Sequence, residues 1–95
     1  TWSAKYKVNQ RACTNWYHPH TEGKTAQHVY WGLAGLLIVE DEESKNINLP
    51  KEYGVDDIPL VLQDRFFTNN GQLYYNPNMH QIMNGYKSNL LITNG

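Results

Sequence analysis

Two histidines, His18 and His20, stand one residue apart in the stretch WYHPHTEG, and imidazole nitrogens are common ligands of zinc and copper. On an extended backbone, residues i and i+2 project to the same face, so the two rings would lie side by side with their Cα atoms about 7 Å apart. Pro19 restricts the backbone between them, and the flanking Trp16 and Tyr17 can shield the pair from water. The spacing suits one metal ion or two adjacent ones.

Two imidazoles are an incomplete coordination sphere, because zinc and copper normally take three or more protein ligands. The other candidates within the chain are Cys13, Glu22, His28 and His80. We expect His28 and His80 to be surface residues, and Cys13 to be a small core residue on the opposite side of the pleat from His18.

A His-Pro-His sequence also occurs in loops where both rings are merely solvated or hydrogen-bonded. A small zinc or copper(II) module built from His18, His20 and Glu22 is a further possibility, since all three share the parity of one strand face. The residues alone leave these interpretations open.

Composition excludes several other functions. The net charge is -1, without a cluster of Lys and Arg, so a nucleic-acid partner is not expected. The longest apolar run, residues 33–39, is far too short to span a bilayer. With one cysteine the chain forms no internal disulfide, and its opening TWSAKYKV lacks a Met or a signal sequence, which predicts an interior start.

Hydrophobic patterning predicts a mostly β chain with one short helix. The last apolar strand arrives directly at the end of the sequence, so both ends look cut. The predicted elements are strands at 2–8, 13–20 (ending near Pro19), 33–40 (buried in the middle of a sheet), 58–67, 69–75 after a turn, and 88–95; a helix at 25–32, capped by Thr25 and stopped by Gly32; an acidic linker at 41–57; and a loop at 76–85.

The order of five stretches closely resembles the bacterial multicopper oxidases, the group that includes cuprous oxidases, laccases and bilirubin-oxidase-like enzymes. The resemblance runs through essentially the whole chain, and its stretches are TNWYHPHTEGKT, QHVYWGLAGLLIVEDEES, INLPKEYGVDDIPLVLQDRFF, NGQL and LLITNG.

This resemblance implies an incomplete, all-β, cupredoxin-like Greek-key β-sandwich that covers parts of two consecutive domains. Residues 1–45 would be the C-terminal part of the first domain, 46–57 the interdomain connection, and 58–95 the N-terminal part of the second. His18 and His20 would bind copper as ligands of the type 3 pair in a trinuclear centre. Glu22 stands where the family often has a further histidine, which is not generally a ligand.

The function implied by the resemblance is that of a copper-dependent oxidase. It would oxidise phenols or low-valent metal ions and reduce dioxygen to water, in the periplasm or outside the cell. The remaining copper ligands would come from the rest of the polypeptide, so these 95 residues alone would not catalyse the reaction. The alternative within the same superfamily is a copper-free structural protein of the cell envelope.

Overall fold

The chain contains two small antiparallel sheets and three short helices. The computed structural model describes all residues from 1 to 95. In chain order the elements are β1 Cys13–Tyr17, α1 Thr25–Tyr30, β2 Gly35–Val39, α2 Glu42–Asn46, β3 Leu62–Arg65, α3 Met79–Asn84 and β4 Leu90–Thr93. β1 pairs with β2, and β3 pairs with β4. The helices run for five or six residues, which falls well short of a bilayer-crossing span.

The first sheet joins two segments rich in β-branched and aromatic residues. Its register runs from Cys13 opposite Val39 to Tyr17 opposite Gly35. A Cβ atom on Gly35 would lie 2.5 Å from the Tyr17 hydroxyl oxygen, so the missing side chain leaves room for the Tyr17 ring to lie across the sheet. The strand predicted at 13–20 is confirmed in a shorter form: β1 ends at Tyr17, two residues before Pro19, which has no backbone donor.

The second sheet pairs β3 with β4, from Leu62 opposite Thr93 to Arg65 opposite Leu90. Asn94 extends this ladder by one residue. Its N–H donates to the Val61 carbonyl, and its side-chain oxygen accepts from the Val61 N–H, both at 2.9 Å. Asn94 has φ of 58°, a left-handed conformation that asparagine tolerates better than most residues.

The helix at residues 25–32 is confirmed in a slightly shorter form, but its start differs from the prediction. Thr25 lies inside α1, and its hydroxyl donates to the Thr21 carbonyl at 2.9 Å instead of capping the helix N-terminus. Gly32 comes directly after Trp31, the C-cap residue of α1, with φ of 90°, a conformation that glycine adopts without a steric penalty.

The predicted strand at residues 2–8 is wrong, since this segment is irregular and pairs with no other strand of the chain. Trp2 and Tyr6 are 86% and 72% exposed. Alternation of apolar and polar residues marks a face that can be buried, but a strand forms only where a neighbour supplies the backbone hydrogen bonds.

Two predictions around residues 69–85 are also wrong. The expected strand at 69–75 is reduced to a single bridge between Phe67 and Leu73. The expected loop at 76–85 contains α3, which begins with a capping box: Asn78 accepts from the Gln81 N–H, and the Gln81 side chain accepts from the Asn78 N–H. The Asn-x-x-Gln spacing was the sequence signal for this helix.

Little of the apolar surface is covered within these residues. Tyr30 and Arg65 are the best-buried residues, each 7% exposed. β2, expected in the middle of a sheet with both faces buried, is instead one of two strands, and its three central residues are exposed. The radius of gyration is 17.3 Å, against roughly 12 Å for a compact domain of this length.

Asp41 ties the start of α2 to the segment before β1. Its carboxylate accepts from the Ser44 N–H and, 29 residues earlier in the chain, from the Ala12 N–H, both at 2.8 Å. The Ser44 hydroxyl in turn accepts from the Asp41 N–H, which completes a capping box. These hydrogen bonds, first that from Ser44 and then that from Ala12, lower the pKa of Asp41 from its ordinary value of 3.8.

We expect Asp41→Asn and Asp41→Ala to separate these two contacts. Asparagine keeps one side-chain oxygen for the Ser44 N–H but loses the second acceptor for Ala12, whereas alanine loses both. In the full-length protein, hydrogen exchange at the Ala12 amide should accelerate in both variants, and exchange at the Ser44 amide only in Asp41→Ala. Equal Ala12 exchange in wild type and Asp41→Asn would contradict the tie.

The same contacts should depend on pH in one direction. Folding lowers the pKa of Asp41 from 3.8. The stabilisation that its ionised carboxylate gives to these hydrogen bonds is therefore complete above pH 3.8 and is lost as the pH falls through the lowered pKa. Protection of the Ala12 amide should therefore fall in acid in the wild type. In Asp41→Asn this component of the pH dependence should be absent.

Candidate metal site at the histidine pair

The two imidazoles of the His-Pro-His stretch lie side by side. The ring centroids of His18 and His20 are 5.9 Å apart, and the ring planes are inclined by 32°. His18 is half-buried and His20 is exposed. His18 follows the last residue of β1 directly and His20 comes two residues later, so the first sheet fixes where the pair begins.

Trp16 and the Pro19 carbonyl orient the His18 ring. The Trp16 ring stacks on it with centroids 4.4 Å apart and an interplanar angle of 28°. The His18 Nδ1 lies 2.9 Å from the Pro19 carbonyl oxygen. Since a carbonyl oxygen can only accept, Nδ1 carries the proton and donates it, and the lone pair of neutral His18 lies on Nε2.

This arrangement fits a metal-ligating histidine. Histidines that bind metals usually donate their second ring N–H to a carbonyl or carboxylate, which sets the tautomer and the orientation of the ring. His18 makes such a bond through Nδ1 and leaves Nε2 available. Of the two aromatic residues expected to shield the pair, Trp16 stacks on His18, while Tyr17 lies across Gly35 on the opposite strand.

The other candidate ligands do not join the pair. No three His, Cys, Asp or Glu side chains of the chain come together as a potential metal site. The module of His18, His20 and Glu22 is therefore not formed: strand parity does not reach Glu22, which lies in the turn after the histidines. His80 is exposed as expected, in the first turn of α3.

Cys13 and His28 differ from their predicted environments. Cys13 is exposed at the start of β1, where its sulfur accepts from Gln10 Nε2 at 3.0 Å and Asn15 Nδ2 at 3.3 Å. His28 lies within α1 and is half-buried, with its Nδ1 buried and without a hydrogen-bond partner. For Cys13, the alternation of side chains along a strand predicts which face a residue lies on, but not whether another element covers that face. No element covers the Cys13 side chain.

Sequence reasoning missed the cluster that holds α1 in place. The Tyr30 ring contacts the rings of Tyr75 and Tyr86, at centroid distances of 4.7 and 5.3 Å, and the Arg65 guanidinium lies over it at 4.7 Å. Burial raises the pKa of Tyr86, with a further contribution from Tyr30. These residues lie as much as 56 positions apart in the sequence, and no local pattern joins them.

Comparison with known proteins identifies the scaffold. Residues 1–44 match the family model described as Multicopper oxidase. The crystal structure of the McoA multicopper oxidase from Aquifex aeolicus superposes with a TM-score of 0.84 and 44% sequence identity, over 94% of this chain and 19% of that one. The chain is multicopper-oxidase-like. The predicted cupredoxin-like fold class is confirmed by the same superposition.

Named relatives of this multicopper-oxidase-like chain include cell division proteins. It is 50% identical to Cell division protein FtsP of Xenorhabdus nematophila over 95 residues, all of this chain and 20% of that protein. It is 43% identical to Cell division protein FtsP of Escherichia coli over 94 residues, 99% of this chain and 19% of that protein. The chain thus spans about a fifth of the length of these relatives.

We expect neutral His18 to be the Nδ1–H tautomer in the full-length protein, because the Pro19 carbonyl accepts from that nitrogen. The measurement is an NMR spectrum of the ring nitrogens in protein with labelled histidine, at a mildly alkaline pH where imidazoles are neutral. His18→Gln assigns the signal, and the exposed His80 is the control. A proton on Nε2 of His18 would rule out this orientation.

Proposed function

We propose that the protein containing this chain acts in cell division, as an envelope protein built on a multicopper-oxidase scaffold. The observation that carries this proposal is the 50% identity to Cell division protein FtsP of Xenorhabdus nematophila across all 95 residues. The match includes both sheets and the segment between them. A location in the periplasm or elsewhere outside the cytoplasm accords with the family resemblance.

The domain assignment is part of the same proposal. Residues 1–45 form the C-terminal part of a first cupredoxin-like domain, 46–57 the connection, and 58–95 the N-terminal part of a second. The separation of the two sheets supports it, because the first lies within residues 13–39 and the second within residues 62–93. The rest of the polypeptide is the principal partner of the exposed apolar residues of both sheets.

Copper-dependent oxidase activity is a second candidate, favoured by the geometry of the histidine pair and by the 44% identity to McoA. His18 and His20 would hold copper of a type 3 pair, with the remaining ligands outside these 95 residues. Copper, when bound, would supply the redox chemistry that couples oxidation of a phenol or low-valent metal ion to reduction of dioxygen to water.

In that candidate the contributions of this chain are specific. His18 binds through Nε2, and the Pro19 carbonyl holds the proton at Nδ1. Trp16 orients the ring by stacking and excludes water from one of its faces. The 95 residues contribute two of the copper ligands, so they would not catalyse the oxidase reaction alone.

The cell-division role and the oxidase activity can be tested with the same variants, first in cells and then as purified proteins. We expect deletion of the gene in its source bacterium to give elongated or chained cells. The full-length wild type should restore normal cell length, and so should the double variant His18→Ala/His20→Ala, because a scaffold role does not need the pair. His80→Ala is the matched control. Normal division in the deletion strain would refute the division proposal.

The oxidase candidate is tested on the same purified full-length proteins. It predicts stoichiometric copper and phenol oxidase activity in the wild type and in His80→Ala. In the double variant, activity should fall by at least about 100-fold, since loss of a ligand costs more than loss of its outer partner. Copper content and activity that are equal in all three proteins would refute the assignment of His18 and His20.

A further inference from the structure

Tyr30 anchors the C-terminal end of α1 on the second sheet. Its hydroxyl accepts a hydrogen bond of 2.8 Å from the Phe66 N–H, directly after β3, and lies 3.4 Å from the Ser88 hydroxyl. Asp64 of β3 accepts from the Ser88 N–H at 2.6 Å, which holds that segment against the same strand. The Arg65 guanidinium covers the Tyr30 ring.

The other end of α1 holds the chain next to His20. The Thr21 carbonyl accepts from the Lys24 N–H at 3.0 Å and from the Thr25 hydroxyl at 2.9 Å. α1 has six residues and is therefore about 9 Å long, too short to bend appreciably. The place where α1 packs on the second sheet therefore also fixes the place of Thr21, the residue that follows His20.

His18, by contrast, is oriented from the first sheet. Trp16, which stacks on its ring, is a residue of β1 and pairs with Leu36 of β2. His18 is thus oriented by a residue of β1, whereas the residue that follows His20 is hydrogen-bonded to the first turn of α1.

We propose that Tyr30 is a positioning residue for the histidine pair: through α1 it sets the place of His20 relative to His18. Tyr30 itself contacts neither ring. The inference requires neither that the pair binds copper nor that the protein acts in division, because it concerns only the orientation of two side chains.

The test compares Tyr30→Phe with Tyr75→Phe in the full-length protein. Both variants lose one hydroxyl from the same aromatic cluster, but only the Tyr30 hydroxyl is bonded to the second sheet. We expect hydrogen exchange at the Phe66 amide to accelerate roughly fivefold in Tyr30→Phe, the effect of losing one ordinary hydrogen bond. The ring signals of His20 in the NMR spectrum should shift in Tyr30→Phe and stay unchanged in Tyr75→Phe.

A second pair of variants tests the N-terminal end of α1, at the partly buried side chain of Thr25. Thr25→Ala removes the hydroxyl that donates to the Thr21 carbonyl, and Thr25→Ser retains it. The His20 ring signals should shift in Thr25→Ala and return in Thr25→Ser. Unchanged His20 signals in Tyr30→Phe would overturn the proposal, as would equal shifts in the two tyrosine variants.

If the full-length protein binds added copper(II), its affinity for the ion provides a second measurement of the placement of His20. Displacement of His20 should weaken copper(II) affinity about tenfold in Tyr30→Phe relative to Tyr75→Phe, at the low end of the range for lost outer contacts. Failure of the wild type to bind copper(II) would count against the oxidase candidate, while the NMR comparison would still decide the role of Tyr30. Where the wild type binds copper(II), equal affinity in the two tyrosine variants would overturn the proposal.

Discussion

The hydroxyl of Tyr30 accepts a hydrogen bond from the Phe66 N–H, and this partly buried contact joins α1, which follows the histidines, to the residue directly after β3 of the second sheet. Around it, Arg65 and two further tyrosines, Tyr75 and Tyr86, complete the cluster in which the best-buried residues of the chain lie. A buried hydroxyl without a partner is costly, so this hydrogen bond also selects one position for α1. Through α1, this hydrogen bond links the segment after the histidines to the second sheet.

The remainder of the structure is held chiefly by backbone hydrogen bonds and caps, not by a central apolar core. Each sheet has two strands, and such pairs are marginal in water unless something packs on their faces. The extended dimensions, 48 × 32 × 30 Å, and the exposed apolar residues agree with this. Relatives about five times as long have further chain available to cover these faces.

The histidine pair shows how a scaffold can prepare a ligand with ordinary local contacts. Stacking by Trp16 and a hydrogen bond to the Pro19 carbonyl select one ring orientation and one tautomer for His18. That preparation is compatible with copper chemistry, and it is equally compatible with a scaffold protein that retains the pair. Cell division relatives and an oxidase structure match the chain at similar identity, so sequence similarity alone does not separate these functions.

Local signals in the sequence predicted β1, α1, β2, β3 and β4, the end of β1 near Pro19, and the side-by-side histidines, because hydrophobic periodicity, turn residues and residue spacing act over a few neighbouring residues. Which strand pairs with which was decided by the tertiary structure. The Asn78 capping box was also local, although the prediction overlooked it. Tertiary structure alone decided that residues 2–8 have no strand partner, that Cys13 is exposed, and that Tyr30 lies beneath Arg65. Those outcomes depend on contacts between residues distant in the chain, and a periodic pattern shows which face can be buried but not what buries it.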